Sequence, residues 1–171
     1  QSLRDVPELK AIGKRLNMRI KAVELLLEKR MMQCSQEEGC TNDIKRCQDI
    51  EGVGPLTALA LANTYRRGHF SNSDAFVAFV GLDVRVSDSG QSRGRRKLSK
   101  KGDAEFRRLI YNAAMSARRS SRWQAIYQSY IERGLKSTQA LLILARKLVR
   151  IAFSLMKNKT QYQSDFSGFT T

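Results

Sequence analysis

Apolar positions return at helical spacing along most of this chain, and the exceptions are as informative as the rule. From about Pro7 to Met32, Leu9, Ile12, Leu16, Val23 and Leu26 recur at threes, fours and sevens with basic residues between them, which predicts a long amphipathic helix. So few heptads fit an oligomerisation arm of coiled-coil type and an ordinary packing helix equally well. After a polar stretch over 33–41, Asn42 or Asp43 is placed to cap a short helix reaching about Asp49. Pro55 then opens another that ends near Arg67 and Gly68. Phe76, Val77, Phe79 and Val80 are the apolar content of a short helix from about Ser73 to Gly81. Further on, Asp103 caps a helix through Phe106, Leu109, Ile110, Ala113, Ala114 and Ala117, whose small residues admit close packing. Ser120 or Ser121 starts one bearing Trp123, Ile126, Tyr127 and Tyr130, stopped by Gly134. A last helix, Ser137 to about Asn158, turns Leu141, Leu142, Leu144, Leu148, Ile151, Ala152 and Leu155 inward, with Arg146, Lys147 and Arg150 near its other face.

Only 82–101 breaks the pattern. Weak alternation, a Ser-Gly turn and a basic second limb predict a short β-hairpin there. The expected fold is therefore mainly α: a helix-hairpin-helix-containing helical domain with a small β-hairpin and an N-terminal coiled-coil-like arm. The segments divide as 1–43 for the arm, 44–158 for the domain and 159–171 for a flexible tail.

Between the two helices that meet near residue 52 stands I-E-G-V-G-P-L-T-A. Gly52 and Gly54, flanking Val53, are expected to take positive φ, so that successive backbone N–H groups converge on one point ahead of Pro55 and Thr57. Those amides and the positive end of the next helix's dipole favour an anion, and such a turn grips a phosphate backbone without reading bases. The same residues also suit a glycine-bearing connector with no ligand.

Charge favours the first reading. The 31 Lys+Arg against 16 Asp+Glu leave a formal net charge of +15 on 171 residues, which suits a polyanionic partner. The cations recur through the whole chain, where a membrane-surface role would concentrate them on one helix, and there is neither a long charge-free apolar run nor a signal peptide. No membrane role is expected, and the location implied is cytoplasmic and nucleoid-associated. Arg93, Arg95, Arg96, Lys97, Lys100 and Lys101 crowd into 93–101 without an acid, with Arg107 soon after. Such a run is either a solvated face or a contact with DNA or RNA. Tyr127 and Tyr130 could stack on bases, or pack as core. Cys34, Cys40 and Cys47 are odd in number and His69 is the sole histidine, so the cysteines read as reduced thiols; a cysteine-rich metal site would need a fourth ligand from elsewhere.

In order, I-E-G-V-G-P-L-T-A, then F-x-x-x-x-x-F-V-A-F-V-G-L over 70–82, then D-S-G, L-S-K-K-G-D-A-E-F-R-R-L and A-R-K-L-V resemble the C-terminal domain of a group of bacterial insertion-sequence transposases. The group includes the pilin-gene inverting recombinase and the bridge-RNA-guided transposases, and the resemblance covers about 44–157. It implies a DNA partner and, in guided members, a guide RNA. An N-terminal RuvC-like domain would supply four acidic ligands for Mg2+, and the C-terminal domain a nucleophilic serine that becomes joined to a DNA phosphate. That serine falls on Ser89, in the Ser-Gly motif before the basic limb, with Ser87 and Ser92 close by. A serine hydroxyl needs a base, a metal or a positive field to attack phosphorus, and Arg93, Arg95 and Arg96 follow at once. Where the family often has Gly-Leu-x-Pro, this chain has Gly81-Leu82-Asp83-Val84, so the lead-in to the hairpin is expected to take a different path.

No metal site is read in the chain itself, because Asp83, Asp88, Asp103 and Glu105 lack the spacing to replace the RuvC-like acids. Beginning at Gln1 inside the arm, the chain reads as part of a longer transposase, expected to bind and not to recombine alone, and to form a homo-oligomer through the arm. Two other classes stay open: a non-catalytic helix-hairpin-helix DNA- or RNA-binding module, and a structural or ribosome-associated RNA-binding protein.

Overall fold

In the computed structural model, residues 7–37, 40–85, 97–98 and 102–163 are described. The chain divides into two units, 1–39 and 40–171.

The first unit is a single helix, α1 (Pro7–Glu37), 31 residues or about 46 Å long. It continues through 33–37, which the sequence suggested as an interruption; those polar residues have adequate helix propensity and no Gly or Pro to stop them. Leu9, Ile12, Leu16, Val23 and Leu26 are all about half exposed on it.

The second unit contains α2 (Thr41–Gln48), α3 (Pro55–Arg67), α4 (Ser73–Phe79), strands β1 (Val84–Arg85) and β2 (Lys97–Leu98), α5 (Ala104–Ala117), α6 (Ser121–Glu132) and α7 (Ser137–Asn158). The long apolar α7 is its centre and packs against α2, α3, α4, α5 and α6. Ala140, Leu144, Ala145, Leu148, Val149, Ala152 and Met156 of α7 are buried, a face broad enough to serve several neighbours because alanines alternate with large side chains. Beside it, Phe76 and Phe153 lie 5.8 Å apart and Phe70 meets Phe76 edge-on at 4.9 Å, with Tyr65 edge-on to both Phe76 and Phe153. To this aromatic block F-x-x-x-x-x-F-V-A-F contributes Phe70 and Phe76. Arg150 of α7 fastens α4 from outside through Asp74, at 2.7 Å.

Most helix starts follow local chemistry. Pro55 stands at the first turn of α3, Asn72 accepts from the Ala75 amide at 2.8 Å, and Asp103 accepts from the Glu105 amide at 2.8 Å. The start of α2 does not: its N-cap is Cys40, without a side-chain cap, and Asp43 lies inside the first turn. Asp43 is buried instead, bound to Arg46 at 3.0 Å and to Lys159 at 3.1 Å. A long-range ion pair has taken the carboxylate that the local pattern assigned to capping.

The two-residue ladder pairs Val84 with Leu98 and Arg85 with Lys97, antiparallel. Below it, Gly102 at φ +141° lies so close to the end of α4 that an added Cβ would stand 2.8 Å from the Phe79 carbonyl oxygen. Leu82, whose amide donates to the Val77 carbonyl at 3.1 Å, and Gly102 are thus both placed at the end of α4. Among the described residues no helix is long and apolar enough to cross a membrane.

Candidate functional site

The turn at 50–54 joins α2 to α3, and its two glycines do different things. Gly52 takes φ +83°, as the motif suggested. Its missing side chain is used for packing: a Cβ there would lie 2.3 Å from the Ala117 amide nitrogen and 2.5 Å from the Ala113 carbonyl oxygen of α5. The small-residue stripe of α5 therefore receives the turn backbone itself. Gly54 corrects the expectation. It is the N-cap of α3 with φ −80° and ψ 172°, an extended conformation open to any residue, and a Cβ there meets nothing within 4 Å. A single left-handed residue suffices to reverse the chain, because the extended N-cap then leads straight into the helix.

Val53 and Thr57 are buried, and the Val53 amide donates to the Ile50 carbonyl at 3.0 Å. Their side chains therefore face the core. No side chain caps α3, and Pro55 has no N–H, so the outward donors of this end are backbone amides of the first turn, beside exposed Gly54 and Leu56. Such an end has the polarity for an oxyanion.

A second feature of the turn escaped the sequence reading. Glu51 accepts a hydrogen bond from the Trp123 indole Nε1 at 2.7 Å and one from the Tyr162 hydroxyl. Arg122 Nη1 donates in turn to the Tyr162 oxygen at 3.4 Å. Burial, followed by the hydrogen bond to Glu51 and its charge, pushes the Tyr162 hydroxyl up to about 12. The sole tryptophan was a usable signal, since a buried indole N–H requires an acceptor, but nothing in the pattern pointed to Tyr162. The stretch just after α7, expected to begin a flexible tail, is instead tied at Lys159 to Asp43 and at Tyr162 to the turn.

Of the basic limb, Ser89, Arg93, Arg95, Arg96, Lys100 and Lys101 lie outside the described residues, as do Ser87 and Ser92; Lys97 is placed by its backbone pairing with Arg85. Arg107 stands at the base of the limb, where its Nη1 donates to the Gly102 carbonyl at 2.7 Å. The aromatic residues of α6 are occupied: Trp123 is buried, Tyr127 lies under the Arg118 guanidinium at 4.8 Å, and Tyr130 under Arg133 at 5.7 Å.

Cys40 and Cys47 are buried, the Cys40 thiol donating to Asn63 Oδ1 at 3.7 Å, and burial, ahead of the nearby Asp43, pushes the Cys47 thiol up to about 12. Among the described residues no three His, Cys, Asp or Glu side chains converge to hold a metal ion.

The glycine turn seated on the small-residue stripe of α5 lies within a helical unit whose class comparison with known proteins identifies. Residues 44–128 match the transposase IS116/IS110/IS902 family, so this region is a transposase domain of that family. Among individual proteins, the chain is similar to a probable family 20 transposase of Pseudomonas aeruginosa, 30% identical over 70% of this chain and 37% of that protein. It is likewise similar to the insertion element IS110 uncharacterized 43.6 kDa protein of Streptomyces coelicolor, 31% identical over 67% of this chain and 29% of that protein. The transposase for insertion sequence element IS1111A of Coxiella burnetii is 31% identical over 71% of this chain and 35% of that protein. The chain thus matches 29% to 37% of the length of these relatives.

Proposed function

We propose that this chain is the DNA-binding, serine-bearing part of a transposase, and that the turn at 50–54 with the start of α3 receives a backbone phosphate of the DNA. The observation that carries the reading is an uncapped helix N-terminus behind a glycine turn, inside the region matched to a transposase family. The net charge of +15 supports it. Contacts of this kind position a duplex without reading it, so sequence choice comes from elsewhere, a guide RNA included.

In the strand-transfer step proposed from the family resemblance, the Ser89 hydroxyl oxygen attacks phosphorus and the bond from phosphorus to a deoxyribose oxygen breaks. The serine proton passes to a base and a proton returns to the leaving oxygen. Mg2+ and its four acidic ligands belong, in this proposal, to a RuvC-like domain outside this chain, and α1 pairs copies of the protein into a homo-oligomer. Work in the cytoplasm at the nucleoid follows from the DNA substrate.

Gly54→Asp tests the binding half. Aspartate is a better N-cap than glycine by a few tenths of a kcal/mol, and Gly54 has the φ, ψ and space to accept it. It would put a carboxylate on the amides meant for phosphate. Thermal stability should hold or rise while duplex affinity at low salt falls about tenfold or more. Unchanged affinity refutes the phosphate site. For the chemical half, Ser89→Ala in a full-length transposase should retain DNA binding and lose the covalent protein-DNA species, with Ser87→Ala and Ser92→Ala as controls. Normal recombination by Ser89→Ala would remove that serine from the mechanism.

A further inference from the structure

Glu51 presents a difficulty for a phosphate-binding turn, because a carboxylate three residues ahead of the N-cap repels the anion the turn is meant to hold. Its hydrogen bonds show where that charge is directed. The Trp123 indole, whose ring is buried, donates to Glu51 Oε2 at 2.7 Å, and the Tyr162 hydroxyl donates to the same oxygen. Arg122 Nη1 donates to the Tyr162 oxygen at 3.4 Å, so the carboxylate meets two donors, one of which is itself bonded to a cation. These donors come from α6 and from the chain beyond α7, distant in sequence from the turn they hold.

We infer that Trp123 and Tyr162 are positioning residues for the phosphate-binding turn: they keep the Glu51 carboxylate turned inward, so that the start of α3 presents only donors to DNA. This rests on the phosphate reading of the turn given above. Gly52 fixes the turn's height on α5 by backbone contact, and the Glu51 cluster fixes which way its one acid faces. The segment after α7 thereby acts in DNA binding without touching DNA. A purely structural tie would tolerate the acid facing either way; this one depends on the charge.

The test measures binding of a random-sequence DNA duplex to the whole chain at low salt, for the wild type, Tyr162→Phe, Glu51→Gln, and both changes together. Tyr162→Phe removes one donor at unchanged ring volume, frees the carboxylate to turn outward, and should weaken binding roughly three- to tenfold. Glu51→Gln in that background should restore wild-type affinity, because no charge is left to repel the phosphate. The deficit of Tyr162→Phe should vanish near 0.5 M salt, where exposed charges are screened beyond a few ångströms. Wild-type binding by Tyr162→Phe overturns the inference, and so does a loss that Glu51→Gln fails to rescue, since that marks a structural tie. Gly54→Asp, run alongside, separates the two readings. If it abolishes binding while Tyr162→Phe does nothing, only the positioning role falls. If it binds as wild type, the phosphate site falls and the positioning role with it. The indole N–H resonance of the sole tryptophan gives a readout without DNA: it should be slow to exchange in the wild type and exchange faster in Tyr162→Phe, where the carboxylate turns away, and in Glu51→Ala, and fast exchange in the wild type would contradict the cluster.

Discussion

Replacing Gly52 by alanine should damage the fold far more than the same change at Gly54, two residues on. At Gly52 two costs combine. The residue holds φ +83°, where an L side chain costs about 1–2 kcal/mol. The new Cβ would also lie 2.3 Å from the Ala117 nitrogen, 2.5 Å from the Ala113 oxygen and 2.7 Å from the Ala117 Cα, all of them backbone atoms in α5 that no rotamer change can move. The turn must lift off the helix, a strain of about 1–3 kcal/mol. Together they come to about 3 kcal/mol, or a fall in melting temperature of roughly 10 °C for a unit of this size. At Gly54, by contrast, φ is −80° and the space is open. Alanine is a poorer N-cap there but restricts the unfolded chain, and these effects nearly offset, leaving a net change under about 1 kcal/mol. Thermal unfolding followed by circular dichroism on the three proteins decides the matter. Equal melting temperatures for Gly52→Ala and the wild type, or equal losses for both variants, would refute the assignment of separate roles.

Other consequences are open to direct measurement. Cys40 and Cys47, both buried, should resist alkylation at pH 8 in the folded protein and react on unfolding, as peptide mass spectrometry would show; Cys47, held near 12, is in addition only about one part in ten thousand thiolate at that pH. The Tyr162 hydroxyl is raised from 10.0 to about 12, so the stability it lends is intact below pH 10 and is lost as pH rises through 12. Tyr162→Phe should accordingly show a shallower decline between pH 10 and 12 than the wild type, Cys47 contributing the same fall to both; identical curves would contradict the raised value. Asp43→Ala removes the partner of both Arg46 and Lys159 at a buried position and should cost about 1–3 kcal/mol in urea unfolding. Phe76→Ala, at the centre of the aromatic block, should cost about 3–5 kcal/mol by the same assay.

Local patterns decided much of this protein by themselves. The spacing of apolar residues gave α3 to α7 nearly to the residue, since each amphipathic stretch has one way to bury its stripe and Pro55, Asn72, Asp103 and Gly134 punctuate it chemically. The ordered motifs pointed to the transposase family before any packing was known, because they combine a glycine turn, an aromatic core block and a basic limb in one sequence order. What tertiary structure alone decided is which of two equivalent-looking groups does what. Gly52 and Gly54 read alike in sequence, and only the approach of α5 separates a left-handed packing glycine from an extended cap. Asp43 reads as a cap until Lys159, from the far end of the chain, claims it. Glu51 carries no mark in the sequence, and only the fold brings Trp123 and Tyr162 onto it. In each case the deciding partner is remote in sequence, and a one-dimensional pattern records the spacing of neighbours along the chain and nothing of the groups that folding brings beside them.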